Sequence, residues 1–91
     1  MDLELFHAEL TRDGYEILMR EMPADKFADT HSHPFDVRAV VTGGEITLHC
    51  HGETKTYREG DLFELAAGID HTERYGPTGV QYVLGRRHRG D

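Results

Sequence analysis

Apolar and polar residues alternate along most of this chain with a period of two, in short runs separated by turn residues. Leu3 and Leu5, followed by His7, alternate with polar positions and predict a first strand. Arg12-Asp13-Gly14 is turn chemistry. Tyr15, Ile17 and Met19 then alternate with Glu16, Leu18 and Arg20 in a second strand, which Pro23 and Asp25 end. His31-Ser32-His33 precedes Pro34, and Val37 to Val41 is a short β-branched run. Gly43-Gly44 predicts a turn. Glu45 to Cys50 alternates again, with Ile46, Leu48 and Cys50 on one face, and Thr54 to Arg58 returns as its hairpin partner. Beyond Glu59-Gly60-Asp61, Leu62 to Leu65 is a strand, and residues 66–70 form a loop presenting His71. Gly76-Pro77-Thr78-Gly79 predicts a last turn before an apolar strand from Val80 to Leu84. No segment reads as a helix. Turn signals every eight to ten residues predict an all-β sandwich or barrel. A barrel closes its own edges, an advantage for so small an all-β chain.

Bulk properties narrow the picture. Ninety-one residues make a single domain, 1–91, with 37% hydrophobic content and no Trp. Burial is modest at this size, so homodimerisation would extend the core, with the N-terminal strand as the interfacial or exchanged element. The net charge of −7 argues against nonspecific nucleic-acid binding. The one basic cluster, Arg86-Arg87-His88-Arg89, reads as a solvated tail over residues 86–91. A single cysteine, Cys50, forbids an intramolecular disulfide and, from its strand parity, is a small buried hydrophobe. No apolar run approaches the roughly 20 residues of a membrane span. The N-terminus lacks the basic and apolar regions of a signal peptide. The expected location is cytoplasmic, with no membrane partner.

The chemistry lies in the histidines. His31 and His33, at i and i+2 on a strand, point to one face. His71, about forty residues later in a Gly-rich turn, can complete one side of a coordination sphere. Imidazole suits Fe, Ni, Cu and Zn. Three protein ligands with open positions describe a site that admits water or substrate. His49 and His51 share the same spacing but flank a hairpin end, where exposed polar positions are the ordinary reading.

Two stretches resemble the paired motifs of the cupin superfamily. The first corresponds to Asp25, then His31 and His33, then Gly43 or Gly44; the second to Gly60, Ala66, Gly68, His71 and Tyr75. Asp25, Ala66 and Tyr75 replace the family's first Gly, its Pro and its Asn. The resemblance spans residues 15–84. It implies a small single-domain cupin-like jelly-roll β-barrel, with one divalent metal (Fe, Mn, Ni, Cu or Zn) held by His31, His33 and His71. The family's Glu ligand would fall near Val37 or Arg38, and neither can replace it. Asp36, the nearest carboxylate, is either a fourth ligand, an acceptor for a ligand imidazole, or a surface partner of Arg38. Arg38, Phe63, Tyr75 and Tyr82 are the candidates for lining a small-molecule pocket. The resemblance leaves two functions open: a metal-dependent oxygenase or isomerase, or a non-catalytic small-molecule-sensing module.

Overall fold

The computed structural model describes residues 2–88. It begins with a helix, where alternation predicted a strand. Helix α1, Leu3–Arg12, is capped by Asp2, whose Oδ1 accepts from the Leu5 N–H at 3.0 Å. Glu4 in the first turn and Arg12 in the last suit the helix dipole. The period that governs this segment is helical: Phe6 and Leu10, four apart, are buried, whereas Leu3 and Leu5 are exposed. The N-terminal segment is therefore not a strand available for exchange. Phe6 and Leu10 pack with Val40, Tyr15, Ile17 and Val83 in a small core outside the sheet.

Six strands follow: β1 Glu16–Met22, β2 Phe27–His31, β3 Phe35–Cys50, β4 Glu53–Arg58, β5 Leu62–Leu65 and β6 His71–His88. All pairings are antiparallel, in the order β1-β6-β3-β4, with β2 also on β6 and β5 also on β3. β3 and β6 are far longer than predicted, because neither Gly43-Gly44 nor Gly76–Gly79 reverses the chain. The pairing of β3 with β6 instead continues through register shifts between Val41 and Gly43 and between Gly44 and Ile46. Gly44, at φ +70°, meets Gly79, at φ +79°, where the two strands bend together. A Cβ on Gly44 would strike the Gly79 carbonyl, and one on Gly79 the Met22 carbonyl.

The bent strands wrap around an interior of Val37, Ala39, Val41, Ile46, Leu48, Phe63, Leu65, Tyr75, Val80 and Leu84. Cys50, on the predicted parity, packs partly buried against this cluster. Three residues of the expected tail are structured: Arg86, Arg87 and His88 belong to β6. Arg86 Nε reaches Glu16 at 2.7 Å, and Arg87 donates to the Asp13 carbonyl at 2.8 Å and lies over the Tyr15 ring. Residues 89–91 of that expected tail lie outside the described residues. Among the described residues no helix is long and apolar enough to cross a membrane.

Candidate metal centre

Three segments converge at one end of the barrel. β2 pairs with the start of β6 so that His31 stands opposite His71, with a register shift between Ala28 and His31. His33 lies beyond the end of β2, in the link to β3, rather than on a strand. Its carbonyl accepts from the Gly68 N–H at 2.8 Å, and its ring stacks on Phe35 with centroids 4.9 Å apart. His71, Glu73 and Tyr75 follow at i, i+2 and i+4 on β6, all buried and facing inward. The His33 ring lies 5.0 Å from His31 and 5.2 Å from His71.

One donor atom from each of His31, His33, His71 and Glu73 lies within 4.8 Å of the others. Donors sharing an ion at about 2.1 Å are about 3.4 Å apart in a tetrahedral site, so the widest pair needs to close by up to about 1.4 Å, within reach of side-chain rotation. The set of three imidazoles and one carboxylate suits a divalent transition metal.

Hydrogen bonding prepares these donors. His31 Nδ1 lies 2.7 Å from the Asp29 carbonyl, and His71 Nδ1 3.0 Å from the Ile69 carbonyl. A carbonyl oxygen only accepts, so both rings carry their proton on Nδ1. Each Nε2 then faces Glu73 Oε2, both at 3.1 Å. Glu73 Oε1 accepts from the Tyr75 hydroxyl at 3.1 Å.

The electrostatics follow from this packing. The hydrogen bond with Glu73 raises the His71 pKa above its ordinary value against the effect of burial. Burial, then repulsion by His71 and His31, lowers that of His33. Burial alone would raise the Glu73 carboxyl; the bonds from His71 and Tyr75 and the histidine charges outweigh it and hold the group below its usual range. Burial, then the Glu73 charge, pushes Tyr82 up to about 12, and the same causes raise Tyr75.

The cluster opens into a pocket of about 300 Å³, with Met22, Val37, Phe63, Leu65 and Leu84 among its apolar walls. Of the sequence candidates, Phe63, Tyr75 and Tyr82 line it. Arg38 does not: it occupies the opposite parity of β3 from Val37 and Ala39, pairs with Glu64 at 3.0 Å, and sits over Phe6. Asp36 shares that outer face, so a small backbone shift does not bring it to the cluster. It accepts from the Ala67 N–H at 2.9 Å and lies 3.7 Å from Arg87, pinning the turn that leads to His71. The carboxylate in the cluster is Glu73, which sequence reading passed over. The usable signal was parity: once His71 begins a strand, Glu73 shares its face. His49 is exposed and bonds Thr54 Oγ1 at 2.7 Å, as expected of a hairpin end.

No family model matches the chain, and no curated protein matches its sequence. Solved structures share its fold. A protein of unknown function from Rhizobium leguminosarum is similar over 85% of this chain and 73% of its own, with TM-score 0.78 and 18% identity. The cupin domain of Schizosaccharomyces pombe Cnp3 is similar over 82% of this chain and 56% of its own, with TM-score 0.73 and 14% identity. A cupin superfamily protein from Desulfitobacterium hafniense is similar over 82% and 68%, with TM-score 0.71 and 11% identity. Likeness at these identities establishes architecture, and with the bent antiparallel strands it settles the point: this chain has the cupin jelly-roll fold, with a three-histidine, one-glutamate cluster able to hold a metal on its inner wall.

Proposed function

We propose that this domain binds one divalent transition metal (Fe, Mn, Ni, Cu or Zn) through His31, His33, His71 and Glu73, and presents it to a small organic molecule. One observation carries the reading. With both Nδ1 atoms donating to carbonyls, the Nε2 lone pairs of His31 and His71 face a carboxylate oxygen at 3.1 Å. Acceptors facing an acceptor repel in a low-dielectric pocket, and a cation between them removes the repulsion while satisfying all of them at once. At acid pH that cation is a proton; at neutral pH a metal ion serves better and uses all four donors.

When bound, the ion would supply Lewis acidity toward an oxygen donor of the ligand. The protein does the remainder. Asp29 and Ile69 carbonyls fix the two imidazoles, and Tyr75 holds Glu73 Oε1 so that Oε2 faces the rings. Tyr82, which burial keeps protonated at neutral pH, lines the pocket and would donate to an oxygen of a bound molecule.

In an oxygenase or isomerase, the first of two uses, this site would act on the bound molecule. A ligand-sensing module is the second, favoured by the shortage of bases. Among the described residues lining the pocket, no carboxylate stands outside the cluster, and both tyrosines hold their protons.

The test is metal analysis of tag-free protein, with His71→Ala and the His49→Gln/His51→Gln double variant. One equivalent in wild type and the double variant, lost in His71→Ala, supports the site. No stoichiometric metal after supply of each ion refutes it. Turnover by loaded protein then separates enzyme from sensor.

A further inference from the structure

The inner parity of β1 carries Leu18, Arg20 and Met22; Leu18 and Met22 pack against the barrel core, and Arg20 and Met22 line the pocket. An arginine on a core-facing parity needs a reason. Arg20 is exposed at the pocket mouth, opposite Tyr82 in the ladder, and has no ion-pair partner among the described residues. That is unusual company in a chain of net charge −7 with 17 acidic residues. Its charge is felt at Tyr82 and His33, on two walls of the pocket. The second arginine at the rim, Arg86, is already committed to Glu16 and to the Phe35 ring.

We propose that Arg20 selects a small organic carboxylate, pairing with its anionic end while its carbon chain lies along the apolar wall toward the His/Glu cluster. One uncommitted guanidinium matches one carboxylate in charge and in its two-pronged donor geometry. A phosphate, with nearly two negative charges, would ask for further donors. The pocket of about 300 Å³ limits the ligand to a small acid. That the far end meets a metal rests on the function proposed above; the anion selectivity does not.

The test is calorimetric titration of the whole chain, metal-free and metal-loaded, with 4-oxopentanoate, its uncharged amide and inorganic phosphate. Wild type should bind the carboxylate at least about tenfold more tightly than the amide. Arg20→Gln should erase that preference at unchanged melting temperature and metal content, and Arg20→Lys should keep part of it. Equal binding of acid and amide, binding of neither, or a preference that survives Arg20→Gln would overturn the proposal. Phosphate binding more tightly than the carboxylate and lost in Arg20→Gln would overturn the carboxylate assignment. If wild type takes no metal, the metal reading fails, yet the acid–amide comparison on metal-free protein still decides the role of Arg20.

Discussion

Replacing Glu73 by Gln separates the two cations that can occupy the cluster. The amide keeps the shape of the carboxylate and can still accept from Tyr75. Its NH₂ can donate to the neutral Nε2 atoms of His31 and His71, so the variant needs neither proton nor metal there. In metal-free wild type, the His71–Glu73 bond requires a protonated ring. His71 has a raised folded pKa, so its contribution is fully present below its unfolded value near 6.5 and is lost as pH rises through the folded value. Glu73 has a lowered folded pKa, so its contribution is present above its unfolded value near 4.5 and is lost as pH falls through the folded value. The pair therefore stabilises most between the two unfolded values, about pH 4.5 to 6.5, and its contribution is lost as pH rises through the folded value of His71. At 3.1 Å the bond is long for a charge-assisted one, which places it near the lower limit, about 1.5 kcal/mol. The His31 bond involves a ring one-third exposed and adds less. For a domain this size, 1.5 kcal/mol corresponds to about 6–12 °C in melting temperature. Thermal melts in chelator at pH 5.5, 6.5, 7.5 and 8.5 should show metal-free wild type losing stability relative to Glu73→Gln as pH rises, by up to that amount. The variant should also lose bound metal. Parallel pH profiles would refute the pairing, and metal held as tightly by Glu73→Gln would refute the ligand assignment.

Three further outcomes are expected. Tyr75→Phe leaves Glu73 Oε1 without its donor and should weaken metal retention against a chelator about tenfold, with the fold intact. Asp36→Asn keeps an acceptor for Ala67 but weakens the attraction to Arg87, so metal content should stay at wild-type level with a stability loss of at most about 1 kcal/mol; metal loss would return Asp36 to the coordination sphere. Leu10→Ala empties a fully buried site between α1 and the sheet and should cost about 2–5 kcal/mol in denaturant unfolding, leaving metal stoichiometry unchanged.

Much of the barrel was legible because strand alternation survives wherever one face is buried. Ile46 and Leu48 face the interior as their parity demands, and the β3–β4 hairpin pairs as expected. The N-terminal helix was hidden because Leu3 and Leu5 mimic a strand while facing solvent; Phe6, Leu10 and the Asp2 cap carried the true period. The Gly43-Gly44 and Gly76–Gly79 segments looked like reversals because glycine permits a bend without saying how far the chain turns. What makes them bends is the continued pairing of β3 with β6 on both sides.

The same division holds at the site. Local spacing and the resemblance were enough to single out His31, His33 and His71, because imidazoles in that arrangement have few uses as specific as a metal. Sequence also placed the turn that carries His71 and offered four pocket candidates, of which the fold brings Phe63, Tyr75 and Tyr82 to the pocket and leaves Arg38 on the outer face. It could not choose the carboxylate. Asp36 stood closer to the first motif, but strand parity turned it to the outer face toward Ala67 and Arg87, while Glu73, on β6, was brought to within 3.1 Å of both His31 and His71. Which face a side chain occupies depends on where its strand begins and which strand pairs beside it. Those are long-range facts, decided only when β2, β3 and β6 close around a common interior.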